Sequence, residues 1–441
     1  MLPGTLDAWL AHVERLHHRP VDMGLDRVRA VARKLDLSGL AAARTIVVGG
    51  TNGKGSTCAM LEAILRAAGY RVGRYGSPHL LHFTERAQID GAPARGEQLV
   101  PHFAQVEGAR GDITLTYFEF TTLVVLAWFA AQRVDVAVLE VGLGGRLDAV
   151  NIVDADCAVV TTVDLDHMEL LGATRGQIGW EKAHIYRAGR PAICVDPDPP
   201  DSLTAYATGL GADLWRFGRE FSLSLPDAGL RQWNYHGRRS DRMALPWPAL
   251  RGAHQLRNAA GVLAALESLG EVLPVDQGAV RRGLGGVQLP GRFQVIPGRP
   301  VIVLDVAHNP HAAQALADAL RSHGAPAAGA AAPAGTMPAT HAVLGMLRDK
   351  DAPAVLAALA GVVDHWHFVP TLGDRGRSAA ALAAAVEPAL GAGAPPFELH
   401  ASVAAALERL REQAAPDDRI VVFGSFVIVA EALRWLERGS Q

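Results

Sequence analysis

The sequence predicts an α/β protein of two domains, each built on a mostly parallel sheet. Three observations carry that prediction. Short apolar, β-branched runs alternate with longer Ala/Leu-rich segments, and the alternation restarts after a Pro/Gly-rich turn near 288–300. A loop rich in glycine and bearing a lysine joins the first strong strand to the helix behind it. At 441 residues, the chain is also long for a single domain.

Each element follows from its residues. TIVVG at 45–49 reads as a buried strand, and the segment from about 56 to 68 reads as the next helix. VDVAVLEVG (134–142), CAVVTTV (157–163) and PAICV (191–195) are continuous apolar runs, which suit parallel strands covered on both faces. Strands alternating with helices imply right-handed crossovers, with ligands at the carboxyl ends of the strands. Residues 216–250, with WNYHGRR and RMALPWP, read as an antiparallel excursion. VIVLDVA (301–307) opens the second domain, a helix follows at about 311–322, and AVLGML, HWHFVP and RIVVFGS supply three more strands. The Pro/Gly turn sets the domains at 1–288 and 289–441, and the low-complexity stretch 324–339 reads as a surface loop in the second.

Composition narrows the class. A hydrophobic fraction of 49% with a net charge of −3 excludes a disordered chain and offers no basic field for nucleic acid. The Ala-rich runs are too short and interrupted to span a membrane. The N-terminal stretch lacks a basic start followed by an apolar run, so no signal peptide is expected. Cys58, Cys157 and Cys194 make an odd count without CxxC spacing, which fits the cytoplasm and argues against a disulfide framework and a zinc site.

VVGGTNGKGSTCAML follows a strand and opens a helix, the setting a phosphate-binding loop requires. Its glycines let backbone N–H groups face phosphate oxygens, and the helix N-terminus adds partial positive charge. Lys54 can reach terminal phosphates, and Ser56 or Thr57 can hold magnesium. The spacing departs from GxxxxGK[ST], because three residues separate Gly49 from Gly53 and Gly55 follows the lysine. The first domain is therefore expected to be of P-loop ATPase type and the smaller second one to be Rossmann-like. The loop specifies a nucleoside triphosphate without choosing among kinase, hydrolase and ligase.

Several polar residues fall at strand ends. Glu140 closes the strand VAVLE, where a carboxylate suits magnesium or is simply a solvated charge. His167 follows VVTTVDLDH; it is either a metal ligand or a hydrogen-bonded loop histidine, with Asp164 and Asp166 as alternative ligands. Ser77 in RYGSPHL is a ligand or a turn serine before proline. Lys182 lies in IGWEKAHIYR, on a helix, and is either an exposed surface lysine or a functional one. Lysine occurs only at 34, 54, 182 and 350, so a retained lysine marks a place where a guanidinium, which cannot lose its proton, does not substitute.

GTNGKGST, YGSPHL, LTYFEF, LEVGLGGRLDAVN, DHMELLG, EKAHIYR, RGAHQLRNAA, LPGRFQ and DVAHNP occur in this order. Together they closely resemble the bacterial bifunctional dihydrofolate synthase/folylpolyglutamate synthases, members of the Mur ligase superfamily of ATP-dependent amide ligases. The resemblance runs from about residue 20 to the C-terminus. It implies that Thr51, Asn52, Gly53, Lys54, Gly55, Ser56 and Thr57 bind ATP, with Lys54 on the phosphates and Ser56 near magnesium. It implies two magnesium sites, one held by Ser77 and Glu140 and the other by Glu140 and His167. Lys182 resembles the family's carbamylated lysine. Asn258, Arg292 and Asp305 match residues that hold ATP, the last two from the second domain, so domain closure belongs to the expected cycle. Met23, Gly24, Leu25 and Asp26, with Thr116, Tyr117, Phe118 and Glu119 and with Leu147, Asp148 and Ala149, form the implied pterin side. LTYFEF and Asp148 resemble enzymes that accept dihydropteroate as well as folates.

The implied partners are dihydropteroate, tetrahydrofolate and its polyglutamates, and L-glutamate, acted on by a cytoplasmic monomer without nucleic acid or membrane. A carboxylate must be activated before an amine attacks it at pH 7, and an acyl phosphate made from ATP meets that demand. A Mur-type ligase of cell-wall precursors would share the loop and metals, but the GTNGKGS form and the LTYFEF and GRFQ segments argue against it. A nucleotide-dependent switch or a non-catalytic folate-binding module would not consume ATP only when both pteroate and glutamate are present.

Overall fold

The computed structural model of the chain describes residues 2–19, 21–226, 231–322 and 338–439. Most of the low-complexity stretch, from 324 to 337, lies outside them. The chain divides into one unit of Met1–Ala249 with Leu256–Gln288, and another of Leu250–Gln255 with Leu289–Gln441. The short segment 250–255 thus groups with the second unit, which a single cut in the sequence cannot express.

The first unit is built on β1 (Arg44–Gly49), β2 (Val72–Tyr75), β3 (Ala87–Ile89), β4 (Ala92–Pro93), β5 (Val136–Glu140), β6 (Cys157–Val160), β7 (Pro191–Cys194) and β8 (Asp213–Arg216). They pair in the order β4-β3-β2-β5-β1-β6-β7-β8. Strands β2 and β5 to β8 run parallel with β1, while β3 and β4 form an antiparallel edge. The central strands are buried along nearly their whole length, which explains their unbroken apolar sequence. β1 lies between β5 and β6, so residues just past these three strands share one edge of the sheet.

The helix Tyr117–Gln132 packs within the core of this unit and is buried from Glu119 to Ala130. A helix apolar on all sides belongs in a core, and its start is fixed by a capping box. The Thr116 hydroxyl accepts from Glu119 N at 3.2 Å, and the Glu119 carboxylate accepts from Thr116 N at 2.8 Å. The strand expected over 157–163 stops at Val160, and Thr161 and Thr162 bond to the phosphate loop instead. The expected excursion is present as an antiparallel sheet of β9 (Ser222–Ser224), β10 (Gln232–His236) and β11 (Asp241–Pro246).

The second unit contains β12 (Gln294–Ile296), β13 (Val301–Leu304), β14 (Thr340–Leu344), β15 (His365–Phe368), β16 (Phe397–Leu399) and β17 (Arg419–Phe423). Their order is β12-β13-β17-β14-β15-β16, parallel except for the edge strand β12. Its own core gathers Leu316, Leu344, Trp366, Phe368, Val421 and Phe423. Among the described residues, no helix is long and apolar enough to cross a membrane.

Candidate functional site

The loop after β1 is held by the segment that follows its neighbour β6. Thr51 Oγ1 donates to the Asp164 carbonyl at 3.1 Å and accepts from Asp164 N at 3.0 Å. Asn52 N donates to Thr162 Oγ1 at 3.1 Å, and Thr161 Oγ1 donates to the Asn52 carbonyl at 2.7 Å. Gly53 caps the helix Lys54–Ala67 at φ 90°, a left-handed conformation that disfavours side chains. Asn258 covers it closely, with Oδ1 only 2.8 Å from where a Gly53 Cβ would sit. Lys54 folds back over the loop, its Nζ donating to the Gly50 carbonyl at 3.0 Å and the Thr51 carbonyl at 3.1 Å. Ser56 and Thr57 are buried at the start of the helix, and the Thr57 hydroxyl has no partner among the described residues. A glycine cradle at a helix N-terminus, an ammonium and an unpaired buried hydroxyl fit a polyphosphate with a hard cation.

Lys182 sits on the helix Arg175–Ala183 and is only 4% exposed. Burial, reinforced by the like charge of Lys54, lowers its pKa to about 7, while Asp166 and Asp148 act in the opposite sense. Lys54, Lys182, Asp148 and Asp166 therefore share one electrostatic field. Gly145 brings the loop after β5 against this helix; a Cβ there would lie 2.7 Å from the Glu181 carbonyl oxygen. Arg146 N completes the contact by donating to the same carbonyl at 3.0 Å, and its side chain pairs with Glu181 at 2.9 Å.

Asp148 is buried at the turn of that loop. Its carboxylate accepts from Leu143 N at 2.8 Å and Val150 N at 2.9 Å. Desolvation nevertheless raises its pKa to about 6. Leu147 is half-buried beside it, and Ala149 is buried in the following turn. Glu140 is buried at the end of β5, level with Val48 of β1. Its Oε2 lies 3.2 Å from the Cβ position of Gly76, next to Ser77. Burial and the Glu140 charge both push the Cys58 thiol well up, while Arg74 and Lys54 oppose them, so Glu140 and Lys54 act on the same sulfur. His167 takes a left-handed conformation at φ 50°, and its side chain is 38% exposed, 4.0 Å from Asp166 Oδ2.

Among the segments expected to hold the pterin, Leu25 caps the helix Asp26–Ala32, just after the half-buried Met23 and Gly24. Arg27 ties this segment to Glu119 at 3.1 Å and to Asp22 at 2.7 Å. Phe118 stacks on Tyr75 with ring centroids 6.1 Å apart, and the Arg86 guanidinium lies over Tyr117 at 5.5 Å. In the second unit, Asp305 follows β13 and accepts from Phe293 N and Ala307 N, each at 2.8 Å. Enclosure of its carboxyl raises its pKa, Arg292 opposes that shift, and Arg292 lies over the Phe426 ring at 5.1 Å. Thr161, Thr162, Gly145 and Arg146 also shape the site, although none stands out individually in the sequence: the threonines end the run CAVVTTV, and Gly145 and Arg146 lie within LEVGLGGRLDAVN.

A phosphate loop at the edge of a parallel sheet, a buried lysine in its field and a second α/β unit define a protein of the Mur ligase class. The Mur ligase middle domain matches residues 48–266, and the Mur ligase glutamate ligase domain matches residues 291–426. The chain is 42% identical to the dihydrofolate synthase/folylpolyglutamate synthase of Escherichia coli K12, over 98% of this chain and 96% of that protein. It superposes on the E. coli FolC structure in complex with DHPP and ADP with a TM-score of 0.89, at 41% identity and 99% coverage of both chains. A bifunctional folylpolyglutamate synthase/dihydrofolate synthase structure with Mn, AMPPNP and L-glutamate bound gives 0.87, at 42% identity and 98% coverage of both. The chain belongs to the dihydrofolate synthase/folylpolyglutamate synthase family.

Proposed function

We propose that the protein is an ATP-dependent ligase that joins L-glutamate to dihydropteroate, forming dihydrofolate, and to the γ-carboxylate of folates. The observation that carries this reading is the buried Lys182 in the electrostatic field of the phosphate-loop Lys54, within a chain that matches the bifunctional family over 98% of its length. The γ-phosphoryl group of ATP passes to the acceptor carboxylate, the amine of glutamate attacks the resulting acyl phosphate, and phosphate leaves. Lys54 exchanges its two carbonyl contacts for phosphate oxygens, which places a positive charge where negative charge accumulates. Asn258 and the Thr161–Thr162 tether keep the loop in register.

Ser56, Ser77, Glu140 and His167 are the residues we assign to magnesium, which supplies charge neutralisation and alignment when bound. Lys182 is assigned as a carbamate. Its amine is buried and its pKa lowered to about 7, so a neutral nitrogen is available to add carbon dioxide and release one proton. The anion formed there would counter Lys54. Arg292 and Asp305 are assigned to ATP, residues 289–441 to the glutamate ligase domain, and Met23–Asp26, Thr116–Glu119 and Leu147–Ala149 to the pterin. Three free, buried cysteines are consistent with a reducing cytoplasm.

The test is labelled glutamate incorporation with ATP and either dihydropteroate, tetrahydrofolate or a muramoyl peptide precursor. Incorporation into both pterin acceptors and not into the muramoyl compound is expected. Labelling of tetrahydrofolate alone would remove the dihydrofolate synthase half.

A further inference from the structure

The second unit carries a histidine cluster that the ligase chemistry does not use. His341 of β14 pairs in register with His365 of β15, and His367 of β15 pairs with Glu398 of β16. Residues two apart on a strand share a face, so these side chains meet on one side of the sheet. His341 Nδ1 lies 3.3 Å from His367 Nε2, and His367 Nδ1 lies 3.0 Å from His400 Nε2. His365 stacks on His341 with ring centroids 4.9 Å apart.

Asp418 sets the proton order of the row. Its carboxylate accepts from Ala339 N and Ala415 N and lies 3.3 Å from His341 Nε2. His341 Nε2 therefore donates, and its Nδ1 carries a lone pair. His367 Nε2 must donate to that lone pair, which leaves His367 Nδ1 unprotonated and directed at His400. His367 is 4% exposed. Its burial, with His400, His341 and His365 around it, lowers its pKa to about 3, so the ring is neutral at physiological pH.

We propose that His367, Glu398 and His400 form a binding site for one divalent ion of the zinc class. One donor atom from each lies within 4.8 Å of the other two. Four-coordinate zinc with bonds of about 2.0–2.1 Å places its donors about 3.3 Å apart. The observed 3.0 Å between the imidazole nitrogens and 3.9 Å between His400 Nε2 and Glu398 Oε2 bracket that value. On binding, His400 moves its proton from Nε2 to Nδ1 and offers the Nε2 lone pair, while His367 keeps its Nε2 proton on His341. The His367–His341–Asp418 chain is the outer hydrogen bonding that orients a metal-bound imidazole. Glu398 also lies 3.9 Å from Arg409 Nε, a contact the ion must displace. Its side chain is 49% exposed, so the fourth position opens to water. Two imidazoles and one carboxylate favour zinc, cobalt or nickel over magnesium. The expectation against a zinc site rested on cysteine spacing, and this site uses none.

The test uses the full-length chain without a histidine tag, stripped with chelator and kept in excess Mg2+ so that hard-cation sites are filled. It is titrated with Zn2+ by calorimetry and with Co2+ by visible absorption. One Zn2+ per chain, and Co2+ bands of a four-coordinate N/O site, are expected. H400Q preserves a donor to His367 but should lose the bands and weaken Zn2+ binding at least about tenfold. E398Q, at a half-exposed position, should weaken it by about the same factor. Zn2+ should raise the melting temperature of the wild type and not of H400Q. Absence of Zn2+ binding, or unchanged affinity in either variant, overturns the proposal.

Discussion

In the proposed mechanism Lys54 and Lys182 carry opposite demands within one field: the first is assigned to act as a cation, the second to act once it has lost its proton. K54A is expected to lower the rate at least about 10²-fold with the fold intact, because one electrostatic donor to the transferring phosphoryl group is gone; steady-state kinetics with a circular dichroism control measures this. K182R keeps the charge, but a guanidinium cannot form a carbamate, so the variant should be nearly inactive. Short carboxylates should partly restore K182A. A fully active K182R would remove the carbamate assignment. The pH dependence follows from a folded-state pKa of about 7 against the ordinary lysine value of 10.5. Between these values the unfolded chain holds the proton and the folded chain does not, so this group's contribution to stability grows as pH rises from about 7 to 10.5. It is lost as pH falls through 7. At limiting bicarbonate, activity should fall about tenfold per pH unit below 7, as the neutral amine is depleted, and added bicarbonate should flatten that limb.

Short side-chain-to-backbone bonds organise the elements around the site. Asp148 pins the loop after β5 through Leu143 N and Val150 N. D148A leaves two N–H groups without this acceptor at a cost of about 1–3 kcal/mol each. Differential scanning calorimetry should show a lower melting temperature and kinetics a loss in both ligations, with D148N milder. E119A removes the capping box and the Arg27 pair, and should cost about 1–2 kcal/mol by denaturant titration. The central strands and the phosphate loop were legible because each depends on contiguous residues: apolar runs buried on both faces, and Gly, Lys and Ser within one turn. The scarcity of lysine drew attention to Lys182, whose burial appears only in the fold. The clamps were not, since Asn52 meets Thr161 and Thr162 across more than a hundred residues and Gly145 meets the Lys182 helix only in the fold. The helix Tyr117–Gln132 shows no amphipathic stripe because it is buried on all sides, so its sequence displays LTYFEF and little periodicity. The histidine row is spread over 341, 365, 367 and 400, where no local spacing gives it away.

At the scale of the molecule, one phosphate loop and one buried lysine are assigned to two ligations that differ in the acceptor carboxylate. Dihydropteroate and tetrahydrofolate should therefore compete, each inhibiting glutamate addition to the other with a constant near its own KM; independent saturation in mixed-substrate kinetics would point to separate sites. The central claim is that the acceptor carboxylate is activated by phosphoryl transfer before the glutamate amine attacks. Dihydropteroate labelled with 18O in its carboxylate tests it directly. Attack on an acyl phosphate leaves one carboxylate oxygen on the departing phosphate, so the account predicts one 18O in the inorganic phosphate for each dihydrofolate formed. Unlabelled phosphate accompanying dihydrofolate formation would contradict it.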